Sequence, residues 1–187
     1  DLVTREMGKL RSDAKGEILS FAKMVTTELE EVREALAPQT FTTKSNVTEL
    51  VRVPHGVVAA ITPWNFPVGM PLQILGPALA AGNTVVFKPS EHVPLTGQRL
   101  AEIIQGCVPK DVLALVHGAG ETGAELVAAE VHMTGFVGSR ATGVRLRHSA
   151  ARRPARHLPV PRDSDLTFVV PCAHFASYVA RRTPSLL

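Results

Sequence analysis

Between positions 57 and 143, short apolar runs alternate with helix-like segments over short connections. The runs cover residues 57–61, 84–87, 112–116 and 131–137, and each reads as a buried strand. Residues 72–81 read as a helix stopped by Gly82-Asn83, and residues 95–104 as a helix stopped at Gly106. Residues 125–129 fit a short helix, and Gly138 to Gly143 open another. Strands joined through helices run parallel, so the pattern predicts an open parallel α/β sheet, Rossmann-like, with helices on both faces. Ligands of such sheets bind beyond the carboxyl ends of the strands. Those ends fall at Thr62, Lys88, His117 and Gly138, so the chemically unusual loops are expected on one edge.

The flanks differ. Residues 2–36 have helical spacing, with Leu10, Ala14, Ile18, Phe21, Met24 (or Val25), Leu29 and Val32 able to share a face, and Pro38 ends the segment. Residues 40–48 read as a polar, β-branched connector. Past position 146 the periodicity decays. Residues 147–162 are rich in Arg, Pro, Ala and His, residues 163–179 are expected to recover a helix, and residues 181–187 read as a loose tail. The expected organisation is one unit over 1–146, including an N-terminal helical segment over 1–37, followed by a divergent tail over 147–187.

Charge follows the same division. The net charge is +3, yet every lysine lies at or before Lys110 and no glutamate follows Glu130. From Arg140 onward the cations are arginines, opposed by Asp163 and Asp165 alone. A basic tail of this kind fits nucleic-acid contact or a segment of different coding origin, frameshifted or rearranged. The second is preferred, because no aromatic-interleaved basic patch accompanies the arginines. No apolar run is long enough to cross a bilayer, and the mixed, polar start does not resemble a signal peptide. Asp1 rather than Met opens the chain, which is compatible with a further segment upstream. Cys107 and Cys172 form no CxxC pair, so no structural disulfide and a cytoplasmic location are expected. The seven histidines show neither HxxxH nor HExxH spacing, which argues against a metal site.

Four loops carry chemistry. Gly138-Ser139-Arg140-Ala141-Thr142-Gly143 follows a strand and opens a helix, with Ser139 placed as N-cap, so it suits an anion. Its Gly-x4-Gly spacing suits a plain strand-to-helix turn equally well. Gly118-Ala119-Gly120-Glu121-Thr122-Gly123 matches GxGxxG in a glycine-rich turn, but no acidic residue follows about twenty positions on. Lys88-Pro89-Ser90-Glu91 offers a cation and a carboxylate to ribose hydroxyls, or forms a solvated surface pair. In Thr62-Pro63-Trp64-Asn65-Phe66-Pro67 two prolines fix a loop whose Asn65 amide suits a developing oxyanion, unless the stretch is only a packed turn with Trp64 in the core. Cys107, at a helix end, reads as a small packed residue rather than a nucleophile.

Taken in order, these motifs resemble the NAD(P)-dependent aldehyde dehydrogenase superfamily. The resemblance rests on Pro54-His55-Gly56-Val57-Val58, on Ile61 to Pro67, on Pro77-Ala78-Leu79-Ala80-Ala81-Gly82-Asn83, on Lys88 to Glu91 and on Phe136-Val137-Gly138-Ser139. Glu6-Met7-Gly8-Lys9 looks like the family's first-helix region. By resemblance, Asn65 is the oxyanion-hole amide, and Lys88, Ser90 and Glu91 belong to the adenosine-ribose site. Ile61, Thr62, Pro63 and Trp64 form the wall beside the cofactor. Gly120 is the glycine near the adenine side. Phe136, Gly138, Ser139 and Thr142 form the adenine pocket and pyrophosphate turn. The phosphate-side role thus goes to Gly138-Ser139 rather than to the GxGxxG stretch. The implied cofactor is NAD, with NADP disfavoured because Glu91 would repel a 2′-phosphate.

The implied reaction is oxidation of an aldehyde to a carboxylic acid through a cysteine nucleophile and a glutamate base. The base should lie in a Glu-Leu-Gly-Gly stretch after Gly143, where no glutamate exists, and Cys172 falls before the place the nucleophile requires. The leading expectation is a catalytically incomplete aldehyde dehydrogenase-like chain. The second is a non-catalytic NAD-binding or interaction module associating with itself or an intact homologue. The third is an active enzyme using Cys172. The expected small-molecule partner is an aldehyde, with neither nucleic acid nor membrane engaged.

Overall fold

The computed structural model describes residues 1–146 in full, and the backbone of residues 147–151 and 166–171. Two helices come first, α1 (Leu2–Met7) and α2 (Arg11–Leu36). The single N-terminal helix expected from spacing is therefore broken. Gly8 takes a left-handed conformation (φ 74°) and caps α1 through its N–H to the Thr4 carbonyl. The expected apolar face of α2 is only half right. Ala14 is buried, whereas Leu10, Ile18 and Leu29 are exposed and Glu17 is buried in their stead. Helix α2 crosses α3 close by, with the Phe21 ring in the space that a side chain on Gly69 would need.

The expected connector is an antiparallel hairpin, β1 (Gln39–Thr42) and β2 (Val47–Leu50), turned by Thr43 and Asn46. Thr40, Thr42, Val47 and Thr48 favour extended backbone, and the two stretches pair across the hairpin instead of running as a loop. Then follow β3 (Val57–Ile61), α3 (Gly69–Ala80), β4 (Thr84–Lys88), α4 (Pro94–Gln105), β5 (Leu113–Leu115), α5 (Gly120–Ala128), β6 (Met133–Gly138), α6 (Arg140–Ala151) and β7 (Leu166–Pro171).

The main sheet has the order β5-β4-β3-β6-β7 and all its pairings are parallel. The predicted parallel α/β architecture is the observed one. In β7, Leu-Thr-Phe-Val-Val pairs with β6 where a helix was expected, because β-branched and aromatic residues fit a pleated surface. Residues 147–151 of the predicted tail extend α6, and the rest of the tail lies outside the described residues.

Alternation along the strands separates the two faces. Val58, Ala60, Val85 and Phe87 pack with Leu75 of α3 and Leu100 and Ala101 of α4. Ile61 and Phe136 pack with Val127 of α5 and Leu146 of α6 on the other face. Gly135 lets Ile74 of α3 close onto the sheet. Asn83 fastens the C-terminal end of α3. Its Nδ2 donates to the Ala78 carbonyl at 2.9 Å, and its Oδ1 accepts from Gly56 N at 3.0 Å. Among the described residues, no helix is long and apolar enough to cross a membrane.

Candidate functional site

The strand order places a topological switch point beside β3. The chain leaves β3 for β4 and β5 on one side, then returns to β6 on the other. The loops after β3 and β6 therefore diverge and leave a crevice at the carboxyl edge of the sheet. A cleft of about 450 Å³ occupies that position.

Each wall of the cleft comes from a separate stretch of sequence. After β3 the wall is Ile61, Thr62, Pro63, Trp64 and Asn65. The parallel ladder continues one step beyond β3, since Thr62 N donates to the Lys88 carbonyl at 3.2 Å. Thr62 Oγ1 and Asn65 Oδ1 are buried without a protein partner. Trp64 is 47% exposed and meets His92 edge-on at 6.4 Å, so it stands at the rim and is not the core of a packed turn.

After β4 come Lys88, Ser90 and Glu91. Val85 and Phe87 face α3 and α4, so the alternation turns Lys88 towards α5. Lys88 is only 3% exposed, and its Nζ donates to the Pro89 carbonyl at 3.1 Å. Burial holds its pKa below the ordinary lysine value, although the Glu91 carboxylate partly offsets this. Lys88 is thus a buried cation rather than half of a solvated pair. Glu91 is exposed, and its pKa lies below the usual carboxylate range. The largest cause is a hydrogen bond from its own backbone N–H, and Lys88 and Ser90 also favour the anion.

The third wall is the start of α5, with Ala119, Gly120 and Gly123. The expected glycine-rich turn is in fact the first turn of this helix, because α5 begins at Gly120. Apart from its chain neighbours and its own helix backbone, nothing lies within 4 Å of where a Cβ on Gly120 would stand, and a Cβ on Gly123 would lie 3.7 Å from Lys88 Cδ. The fourth wall is Phe136, Val137, Gly138, Ser139, Thr142 and Leu146. Ser139 caps α6 as expected, with Thr142 N donating to Ser139 Oγ at 3.2 Å.

The thirteen residues to which the resemblance gives a cofactor or oxyanion role all line this one cleft. Ala119, Gly123, Val137 and Leu146 line it as well and were not anticipated. Gly123 had a signal in the glycine repeat, whereas Val137 and Leu146 read as ordinary core. His117 stands apart, with its Nε2 3.1 Å from Gln98 Oε1. Cys107 is exposed and does not line the cleft. Cys172 lies outside the described residues. Among the described residues, no group of three His, Cys, Asp or Glu could hold a metal ion.

The donor set fits a ligand that is both anionic and rich in hydroxyls. A buried ammonium, a helix N-terminus, a glycine floor and unpartnered threonine and asparagine oxygens converge on one space. The fold and cleft define an open parallel α/β unit with its crevice at the switch point.

Comparison with known proteins gives the family. Residues 1–159 match the aldehyde dehydrogenase family, and the chain belongs to it. It is 38% identical over 162 residues to N-succinylglutamate 5-semialdehyde dehydrogenase of Sphingopyxis alaskensis, a match covering 84% of this chain and 34% of that one. It is 35% identical over 161 residues to the D-glyceraldehyde dehydrogenase (NADP(+)) of Picrophilus torridus, covering 83% and 32%. The solved NAD-dependent aldehyde dehydrogenase of Sinorhizobium meliloti superposes with a TM-score of 0.73 at 35% identity, covering 81% of this chain and 31% of that one. The chain thus spans about a third of the length of these relatives.

Proposed function

We propose that the cleft binds a nicotinamide dinucleotide, NAD in preference to NADP, and that residues 1–146 are the cofactor-binding unit of an aldehyde-oxidising enzyme. The observation that carries this reading is convergence. Segments around Thr62, Lys88, Gly120 and Gly138, distant in sequence, meet at one crevice of the sheet. Relatives named for NAD and for NADP(+) support the cofactor class.

In this reading Lys88 and Glu91 bond the adenosine ribose, with Ser90 beside them. The N-terminus of α6, capped by Ser139 and followed by Thr142, takes the pyrophosphate. Phe136 and Gly120 flank the adenine. Ile61, Thr62, Pro63 and Trp64 form the wall along the nicotinamide side. When bound, the cofactor supplies the hydride acceptor. Asn65 is the amide that would donate to a developing oxyanion on the substrate.

Cys107 does not line the cleft, and the one glutamate that lines it beside Asn65, Glu91, is assigned in this reading to the ribose. The chain is therefore proposed to bind cofactor without oxidising aldehyde. Residues 147–187 are proposed as a divergent segment, and the low cysteine content favours a reducing compartment such as the cytoplasm. A second reading, association with itself or an intact homologue, is favoured by exposed apolar residues on α2 and the hairpin.

Calorimetric titration of the purified chain with NAD+, NADH and NADP+, alongside an aldehyde-dependent NADH assay, tests these readings. Binding without turnover is expected. Absence of affinity for all three nucleotides would overturn the cofactor assignment. Turnover that disappears in Cys172→Ala would overturn the proposed inactivity.

A further inference from the structure

Lys9 sits in the break between α1 and α2, far in sequence from the cleft. Its ammonium nonetheless makes three contacts around the Asn65 loop. It donates to Glu17 Oε2 at 2.6 Å and to the Asn65 carbonyl at 2.7 Å, and it lies 4.2 Å from the centre of the Phe66 ring. The pair is nearly dry, with side-chain exposures of 13% for Lys9 and 2% for Glu17.

Glu17 uses its other oxygen at the far end of the same loop. Oε1 accepts from Val68 N and Gly69 N, both at 2.9 Å. These N–H groups belong to the start of α3 and have no partner within the helix. The loop from Pro63 to Pro67 is therefore held at its middle by Lys9 and at its end by Glu17. A buried ion pair contributes little net stability, so an arrangement this specific is better explained by the geometry it enforces.

We propose that Lys9 and Glu17 are positioning residues that fix the backbone of Trp64, Asn65 and Phe66 so that the Asn65 side chain lines the cleft. This deepens the cofactor reading and rests on it for the meaning of the cleft. The ionic link makes the N-terminal helices part of the site's scaffold. Lys9 holds the peptide plane after Asn65 through its carbonyl, and the Phe66 ring covers the ammonium on one side. With the link removed, Asn65 keeps its covalent neighbours but loses its fixed direction.

The chain's single tryptophan is Trp64, so its fluorescence reports on this loop without any ligand. The double variant Lys9→Met/Glu17→Gln removes both charges together, and the new amide can still accept from Val68 and Gly69. With a native far-UV spectrum, it is expected to show lower Trp64 anisotropy, stronger iodide quenching and an NADH affinity reduced about tenfold. Lys9→Arg, which keeps the cation, is expected to recover much of the Trp64 signal. Glu6 accepts from Leu95 N and Thr96 N at the start of α4 and touches neither Lys9 nor Glu17 through a hydrogen bond, so Glu6→Ala is expected to lower the melting temperature and leave Trp64 unmoved. Unchanged anisotropy and quenching in the folded double variant would overturn the proposal. If the double variant does not fold, Lys9→Gln, which has fewer donors and no charge, is read by the same two signals. Failure of the parent chain to bind NADH would sink the cofactor reading alone, because the comparison of Trp64 signals uses ligand-free protein.

Discussion

The ring of Phe136 fills the space that a Cβ on Gly138 would occupy. Phe136 is buried and packs with Ile61 and Val127, so its ring cannot retreat far. Gly138 ends β6 directly before the Ser139 cap. One residue without a side chain therefore lets an aromatic wall and a helix N-terminus meet in the same cleft. Gly138→Ala is expected to displace the ring and destabilise the fold by about 1–3 kcal/mol. NADH affinity should fall in parallel. Retention of both stability and affinity would show that the ring can move freely.

Lys88 sets affinity against stability. Its pKa is lowered chiefly by burial, so at neutral pH the folded state carries a desolvated cation. A group whose cationic form is disfavoured on folding costs stability at pH values below its lowered pKa. The cost is relieved as pH rises through that value towards the unfolded one. Lys88→Met is thus expected to leave the melting temperature at pH 7 unchanged or raised. Nucleotide affinity should fall about tenfold or more, as for a lost charge-assisted hydrogen bond of about 1.5–3 kcal/mol. A large drop in melting temperature would show that the Pro89 contact outweighs desolvation.

Glu91 is expected to set the choice of nucleotide. Its hydrogen bonds keep it ionised below the usual carboxylate range. Preference for NAD over NADP should therefore persist as pH falls through that range and weaken only once Glu91 protonates. Glu91→Gln should raise NADP+ affinity relative to NAD+ at neutral pH. An unchanged ratio in competitive titration would remove Glu91 from this role.

The sheet was legible because its signals are local. Apolar runs such as residues 57–61 and stops such as Gly82-Asn83 act within a few residues, and the structure keeps them. The cleft was legible because strand ends can be ordered along a parallel sheet, which gathers Thr62, Lys88 and Gly138 on one edge. Contacts between remote segments were not legible. Nothing in the spacing of Lys9 or Glu17 marks the Asn65 loop as their partner, 56 residues beyond Lys9. The start of α5 was misread because glycines suggested a turn, although Gly120 and Gly123 serve a helix that passes close over Lys88.

Glu6 illustrates the same limit. The Glu6-Met7-Gly8-Lys9 stretch resembles the family's first-helix region, but the work of Glu6 lies elsewhere in the fold. Glu6 accepts from Leu95 N at 2.7 Å and from Thr96 N at 2.8 Å, capping α4 from α1. Thr96 Oγ1 donates to the same carboxylate. Glu6→Ala leaves two N–H groups at the start of α4 without this acceptor. The expected loss is about 1–2 kcal/mol, read as a lower urea midpoint at unchanged m-value. No change in midpoint would show that water replaces the carboxylate without cost.

Apolar exposure points to the behaviour of the isolated chain. Phe41 is 56% exposed and Val47 is 72% exposed on the hairpin, and Val53 beyond it is 66% exposed. Leu10, Ile18, Leu19 and Leu29 are exposed on the N-terminal helical segment. Scattered single residues of this kind are normal, but here they recur on adjacent elements joined in sequence. The hairpin has two strands, and both are exposed throughout. A two-stranded ribbon is at best marginally stable by itself in water. Burying these side chains against another surface would stabilise both elements at about 25 cal/mol per Å². The chain is therefore expected to self-associate as concentration rises, and to melt broadly or irreversibly. Phe41→Ser with Val47→Thr should shift the population towards monomer in light scattering. A monodisperse 20.0 kDa monomer with a sharp, reversible melt would contradict the expectation, and would mean that these side chains find sufficient cover within the chain.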